Sequence, residues 1–283
     1  MTVVDINNLQ LPKSVRLELS GVCNHKCEYC VVPTLQNQQH FMNELTFYKA
    51  LNEIQRLGIK EIGISHMGEA TLHPVFCKMV EEIPSDIDIF ITTNGTNLNN
   101  LKYLVERNIK SIKFSLNGYS KESWKQMIGV DTFDLVINNL KELVKYRNEL
   151  GSDTQISASS ICRECKEQDD FVKIISKIVD CFYYTRLFNH AAKVDNKPIK
   201  YNGANILDHL CQIPCYGLFN MCHIKANGDI NICRWGVDNE FVIGNILTDT
   251  LDKVWFSDKA NAIRNKHINH CLETCNKCVN INV

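Results

Sequence analysis

Short alternating apolar runs, separated by stretches of helical period, organise most of this chain. Residues 15–20 (VRLELS), 61–65 (EIGIS), 87–92 (IDIFIT), 111–115 (SIKFS), 155–160 (QISASS) and 181–187 (CFYYTRL) have the alternation and branched side chains of strands. Between them the apolar spacing predicts helices. Asn43 is placed to cap one that runs to about residue 57, with Leu45, Tyr48, Leu51 and Ile54 on one face. Others are expected over about 74–83, 98–107, 122–127, 133–150 and 169–178. The longest has Val136, Leu140, Leu143 and Val144 in register. Strands alternating with helices argue for a parallel sheet of βαβ units. Six such units fall short of the eight that close a barrel.

The pattern changes after about residue 189. Asn, Lys and Pro mark residues 191–204 as a linker between a core domain, 1–190, and a small unit, 205–283. In the small unit, residues 221–225 and 230–233 flank Asn227-Gly228 and read as a β-hairpin. Residues 250–266 then predict one amphipathic helix, with Leu251, Val254, Trp255 and Ile263.

Composition narrows the function classes. The 283 residues are 45% apolar and 22% charged, enough for a sizeable core without staples. The net charge of −1 gives no reason to expect nucleic acid as a partner. The first residues lack the basic start and apolar segment of a signal peptide, and no apolar run approaches the roughly 20 residues of a membrane span. A cytoplasmic, reducing location is the expectation. There, fourteen cysteines mean metal binding or catalysis rather than disulfides.

Three of them stand in Cys23-Asn-His-Lys-Cys27-Glu-Tyr-Cys30, directly after the first strand. In α/β barrels that is the end where active-site loops gather. Three close thiols suit a four-iron, four-sulfur cluster, whose irons are held by thiolates. With three ligands, one iron corner stays open to an exchangeable ligand, as at an open metal site. A zinc site is the alternative, although zinc sites usually show paired cysteines.

The spacing of three and then two residues between these cysteines resembles that of the radical S-adenosylmethionine (radical SAM) superfamily. The resemblance implies an open, partial (β/α)6 barrel whose cluster, on Cys23, Cys27 and Cys30, binds the amino and carboxyl groups of SAM at its open iron. It also implies SAM contacts at successive strand ends. Tyr29 would pack near the adenine. Gly68 and Glu69 would stand where the family has a Gly-Gly-Glu-Pro-like turn facing the methionyl ammonium. Here Met67 and Ala70 depart from that pattern. Asn94, in Thr93-Asn94-Gly95, and Ser115, Asn117, Ser159 and Arg186 are placed for further SAM contacts. His25 and His66 fall in the same loops as polar contacts.

A second ordered set is Cys215, Gly228, Cys233 and Cys275-Asn-Lys-Cys278. It resembles the SPASM/Twitch extension of radical SAM enzymes, in its shorter Twitch form. That implies one auxiliary [4Fe-4S] cluster held by Cys215, Cys233, Cys275 and Cys278, with Cys271 able to replace one of the tail ligands and a four-cysteine zinc as the alternative. Cys222 begins the hairpin and stands where some family members keep a hydrogen-atom donor; a plain core cysteine is the other reading. Cys162-Arg-Glu-Cys165 fits a redox pair or spare ligands.

The resemblance implies reductive cleavage of SAM to a 5′-deoxyadenosyl radical, which takes a hydrogen atom from a substrate carbon. Oxidation follows if the auxiliary cluster accepts an electron, epimerisation if Cys222 returns a hydrogen. The expected partners are a small molecule (a sugar or aminocyclitol) or a short peptide, and an electron donor such as flavodoxin or ferredoxin. The lack of a peptide-recognition extension before Val15 favours a small molecule, or a short peptide presented by another protein. The competing class is a cysteine-rich zinc or iron–sulfur scaffold that has lost catalysis.

Overall fold

The computed structural model describes residues 8–35, 40–162, 165–185, 200–201, 204–205, 215–236, 239–276 and 278. Arg186, Cys211 and most of the expected linker lie outside them. In chain order the elements are β1 (Ser14–Leu17), α1 (Glu44–Arg56), β2 (Glu61–Ile64), α2 (Phe76–Glu81), β3 (Asp88–Thr93), α3 (Leu98–Glu106), β4 (Ser111–Ser115), α4 (Lys121–Ile128), α5 (Phe133–Leu150), β5 (Gln155–Ile161), α6 (Lys166–Ile175) and β6 (Cys181–Thr185). A short antiparallel pair follows, β7 (Lys200–Tyr201) and β8 (Ala204–Asn205). The chain ends with α7 (Tyr216–Asn220), β9 (Met221–Ile224), β10 (Asp229–Asn231), β11 (Val242–Asn245), α8 (Leu251–Trp255), α9 (Asp258–Ile268) and α10 (Glu273–Asn276). This is the mixed α/β class, with a helix after each of β1 to β5. No helix among the described residues is long and apolar enough to cross a membrane.

The chain forms two compact units. One joins Met1–Leu19, Met42–His66 and Phe188–Val283; the other joins Ser20–Phe41 and Met67–Leu187. In the first, β1 pairs in parallel with both β2 and β9, and β10 and β11 extend the sheet antiparallel beyond β9. The pairing of β1 with β9 is why β1, α1 and β2 group with the C-terminal segment. In the second unit β3, β4, β5 and β6 pair in parallel in that order.

Strand alternation sorts the first unit's sheet into two faces. Val15, Leu17, Ile62, Ile64, Cys222, Ile224 and Ile230 are fully buried. Arg16, Glu18, Gly63 and His223 alternate with them on the opposite face. Helix α1 buries Phe47, Ala50, Leu51 and Ile54. The expected face is therefore rotated: Leu45 is 62% exposed and Phe47 takes the buried place. Asn43 does cap this helix, accepting from the Thr46 amide at 2.8 Å. Helix α5 matches expectation, burying Val136, Leu140, Leu143 and Val144.

The single helix expected over 250–266 is two. Ser257 accepts from the Ala260 amide at 3.2 Å and starts α9 afresh, so its hydroxyl satisfies a helix-start donor that a continuous helix would have bonded internally. Arg264 of α9 is fully buried and ties this region together. Its Nε donates to the Leu218 carbonyl at 3.0 Å and its Nη1 to the Trp255 carbonyl at 2.7 Å, and the guanidinium stacks 4.3 Å above the Trp255 ring. Arg264→Ala is expected to lower unfolding free energy by about 3 kcal/mol, because two carbonyls and a stacked aromatic lose their buried partner. Urea denaturation measures it; a loss under about 1 kcal/mol would mean these contacts are replaceable.

Candidate functional site

The loop after β1 is pinned along its length within the second unit. The Lys26 and Glu28 amides donate to the Ile128 and Met127 carbonyls at the end of α4, both at 3.0 Å. His25 is buried; its Nε2 lies 3.0 Å from the Thr132 hydroxyl and its ring stands edge-on to Trp124. Burial pushes His25 down to about 4, so it is a neutral anchor near pH 7. These contacts hold Cys23, Cys27 and Cys30 half-buried, each as a free thiol.

Each sulfur has a donor directed at it. The His25 amide reaches Cys23 Sγ at 3.5 Å and the Val32 amide reaches Cys30 Sγ at 3.4 Å. The Tyr29 phenol bonds Cys27, while Asn117 Nδ2 donates to the Tyr29 oxygen at 2.5 Å. Burial pushes Cys23 up to about 11 and Cys27 up to about 12, and the negative charge of Cys30 adds to both. Left alone, these thiols stay protonated at neutral pH; a bound metal would deprotonate them. Three clustered thiols with N–H and O–H donors to sulfur form a donor set that fits an iron–sulfur cluster.

Glu69 ties the neighbouring strand ends to this loop. Its amide donates to the Val22 carbonyl at 2.8 Å. Its buried carboxylate accepts from Thr71 N at 3.2 Å, Thr71 Oγ1 at 2.6 Å, Thr93 Oγ1 at 2.8 Å and Asn94 N at 2.6 Å. Burial raises its pKa, against the pull of these four donors. The carboxylate thus organises the turn around itself, a role the expected ammonium contact did not contain. Gly68 approaches the same loop so closely that a Cβ would stand 2.4 Å from the Ser20 and Val22 carbonyl oxygens. Asn94 Nδ2 reaches Asn24 Oδ1 at 2.7 Å and Cys23 Sγ at 4.0 Å.

The remaining strand-end residues follow β4 and β5. Asn117 Oδ1 accepts from the Ile161 amide at 2.9 Å, which orients the amide group that meets Tyr29. Ser115 and Ser159 pair across the two strands, and Ser159 is buried. One connected set therefore contains Cys23, Cys27, Tyr29, Glu69, Asn94 and Asn117, with Cys30 and Gly68 beside them. Arg186 lies outside the described residues.

The first unit holds the second group of thiols. The Cys233 thiol lies within electrostatic reach of Cys215 and Cys278, and burial pushes its pKa strongly up. The Cys215 amide donates to His267 Nε2 at 3.0 Å. Fully buried Asn231 shapes the loop at Cys233, accepting from its amide at 2.9 Å and donating to the Gly236 carbonyl at 2.7 Å. Cys275 and Cys278 are both buried, and the Cys278 amide turns back to the Cys275 carbonyl at 3.1 Å. Cys271 is exposed and donates to the Asn269 carbonyl. Cys215, Cys233 and Cys278, with Cys275 one turn before Cys278, again form a donor set that fits a closed cluster.

Cys222 sits on the apolar face of β9, fully buried and near Arg264. Burial pushes it up to about 12. It is in register with Val15 and shares its face with fully buried Leu17 and Ile224. Its neighbour His223 faces the other way.

On the polar face of the first unit's sheet, only His66 was named from sequence. Glu18 Oε2 meets His66 Nδ1 at 2.7 Å and Glu18 Oε1 accepts from the Ala226 amide at 3.2 Å. His223 is fully buried 5.3 Å from the His66 ring. The available signal was the charged alternation Val15-Arg-Leu-Glu18 in a strand of a parallel sheet, where both faces are normally covered.

Each cysteine group falls within a region that matches a family model. Residues 17–154 match the radical SAM superfamily and residues 215–279 match SPASM, an iron-sulfur cluster-binding domain. A tungsten-containing aldehyde ferredoxin oxidoreductase cofactor-modifying protein of Pyrococcus furiosus is 23% identical over 94% of this chain and 87% of its own length. A probable GTP 3′,8-cyclase of Thermococcus kodakarensis is 31% identical, but over only 47% of this chain and 44% of its own. Among solved structures, BtrN in complex with AdoMet and 2-DOIA superposes with a TM-score of 0.68 at 18% identity, covering 97% of this chain and 95% of that one. Streptococcus suis SuiB bound to precursor peptide SuiA superposes at 0.71 and 20% identity, covering 92% of this chain and 68% of that one. The shared fold is the partial barrel expected from the resemblance. The chain belongs to the radical SAM superfamily and carries a SPASM-type iron–sulfur domain, and so is a radical SAM enzyme with a SAM-binding [4Fe-4S] cluster, an auxiliary cluster and SAM as its cofactors.

Proposed function

We propose that this enzyme oxidises a small-molecule substrate by hydrogen-atom abstraction, with Cys23, Cys27 and Cys30 holding the SAM-binding cluster and Cys215, Cys233, Cys275 and Cys278 the auxiliary one. The observation that carries the reading is the donor set of the first loop: three free thiols, each meeting an N–H or O–H donor. Cys23, Cys27 and Cys30 would hold a cluster able to supply the electron that splits SAM into methionine and a 5′-deoxyadenosyl radical, which would take a hydrogen atom from the substrate.

The chain's own residues hold that chemistry in place. Glu69 fixes the Gly68 turn and the start of the Thr93-Asn94-Gly95 turn, so their backbone oxygens keep one geometry. Asn117 and Tyr29 set the hydrogen bond to the Cys27 sulfur. Ser115 and Ser159 offer hydroxyls at paired strand positions for the sugar of SAM. Oxidation is favoured over epimerisation because Cys222 faces the apolar side of β9. Cys215, Cys233, Cys275 and Cys278 would hold the cluster that takes up the electron a substrate radical gives up, with a proton, on becoming product. A small substrate is supported by the near-complete mutual coverage with BtrN; SuiB, whose structure holds a precursor peptide, is the longer protein. A flavodoxin or ferredoxin in the cytoplasm would supply the reducing electron.

The test is chromatography of products from SAM under dithionite, with the enzyme reconstituted anaerobically. 5′-Deoxyadenosine and methionine are expected in equal amounts. Their absence, with iron present, would contradict the proposal. As a further check, Cys222→Ala is expected to keep 5′-deoxyadenosine formation and the product's stereochemistry, and to cost about 1 kcal/mol of stability in urea denaturation. Loss of a stereo-inverted product in that variant would restore the epimerase reading.

A further inference from the structure

The polar face of β1, β2 and β9 has more buried donors than acceptors. Gly63, Arg16 and His223 are in register across β2, β1 and β9 and so share this face. Gly63 makes room for Arg16: a Cβ there would lie 1.9 Å from the guanidinium Nη1. Arg234 follows β10 and stacks 4.8 Å from the Trp235 ring. Arg16, Arg234 and His66 all act electrostatically on His223.

The acceptors are few. Glu18 is committed to His66 Nδ1 and the Ala226 amide. Glu61 reaches Arg16 only at 3.6 Å and is itself partly exposed. Among the described residues, Arg16 Nε, Arg234 Nε, His66 Nε2 and both ring nitrogens of His223 are buried without a hydrogen-bond partner. His223 is 0% exposed, so water at the surface does not serve it. Five unpartnered buried nitrogens on two arginines and two histidines are rare in a folded protein and costly unless a ligand meets them. Guanidinium groups in this surplus recognise planar or tetrahedral oxyanions through paired N–H bonds.

We propose that this face binds an oxyanion of the substrate, a carboxylate or a phosphate, between Arg16, His66, His223 and Arg234. The inference rests on the proposed action on an external substrate and narrows that substrate to an anionic one. The oxyanion oxygens accept from Arg16 and Arg234 and from the ring N–H of His223. Glu18 accepts from His66 Nδ1–H, so the neutral His66 ring offers Nε2 as an acceptor, for a hydroxyl or protonated oxygen of the same ligand.

The test uses thermal unfolding of the anaerobically reconstituted holoenzyme with saturating SAM, titrated with inorganic phosphate, with acetate, or with chloride at matched ionic strength. Binding to the folded state raises the midpoint in a saturable way. Phosphate or acetate is expected to do so beyond chloride; the stronger of the two tells a phosphate-bearing from a carboxylate-bearing substrate. Arg16→Gln and His223→Gln are each expected to weaken the apparent affinity about tenfold or more, the value of one or two charge-assisted hydrogen bonds. Should Arg16→Gln not fold, the His223→Gln curve decides. Equal responses to all three salts, or variants that respond as the parent does, overturn the inference. Iron content and 5′-deoxyadenosine formation in the parent protein report separately on the proposed function, so failure of the oxyanion response beside intact SAM cleavage removes this inference alone.

Discussion

Replacing Cys23, Cys27 and Cys30 together by alanine is expected to halve the iron, from about eight to about four atoms per chain, and to abolish SAM cleavage altogether. The loop should survive the change. Its anchors are the Lys26 and Glu28 amides on α4 and the His25–Thr132 contact, none of which uses a sulfur. Far-ultraviolet circular dichroism should therefore be unchanged while iron and 5′-deoxyadenosine fall. The complementary variant, Cys233→Ala with Cys278→Ala, should also retain about four irons but keep 5′-deoxyadenosine formation, because its sulfurs belong to the other group. Equal iron loss with cleavage intact in the first variant would mean that the two groups had been assigned the wrong way round.

Glu69→Ala should be the most destabilising single change in the second unit. The carboxylate is buried and accepts four hydrogen bonds, from two amides and two hydroxyls. Its removal strands those donors and opens a cavity, for an expected loss of about 4 kcal/mol. Glu69→Gln keeps the volume but places an NH2 group against at least one donor, so an intermediate loss of about 2 kcal/mol is expected. Both variants should also lose SAM affinity, since the Thr93 and Asn94 positions relax with the turn. Urea denaturation and equilibrium dialysis of SAM measure the two effects. A Glu69→Ala protein of parental stability that merely binds SAM less tightly would make Glu69 a simple ligand instead of the organiser of the turn.

Much of the fold was legible because its signals were local. The stretch 133–150 carries its apolar residues at helical spacing over five turns, and the helix forms there with the expected buried face. The two shorter signals misled for identifiable reasons. In α1, Leu45 and Phe47 are both apolar, and one sequence admits two faces; packing chose Phe47. Over 250–266 the apolar period continues through Ser257, but a hydroxyl cap is worth more at that point than one more internal turn. Strand β11 is four residues, Val-Ile-Gly-Asn, too short for periodicity to announce.

The site divides similarly. Cysteine spacing is a local signal: Cys23, Cys27 and Cys30 act electrostatically on one another, and Cys215 and Cys278 act on Cys233. What spacing leaves out is direction. Cys222 and His223 are adjacent, yet strand alternation sends them to opposite faces, and only the pairing of β9 with β1 reveals that the polar one is His223. The buried company of Arg16, His66 and Arg234 likewise comes from residues distant in sequence, brought together by the pairing of β2, β1, β9 and β10.

One chain should hold two iron–sulfur clusters, and only the one at Cys23, Cys27 and Cys30 should meet SAM. Electron paramagnetic resonance of the dithionite-reduced protein, with and without SAM, tests it most directly. Two cluster signals are expected, of which one changes when SAM is added and is missing from the triple alanine variant. A protein that binds zinc in place of iron, or two signals that are both indifferent to SAM, would contradict the account.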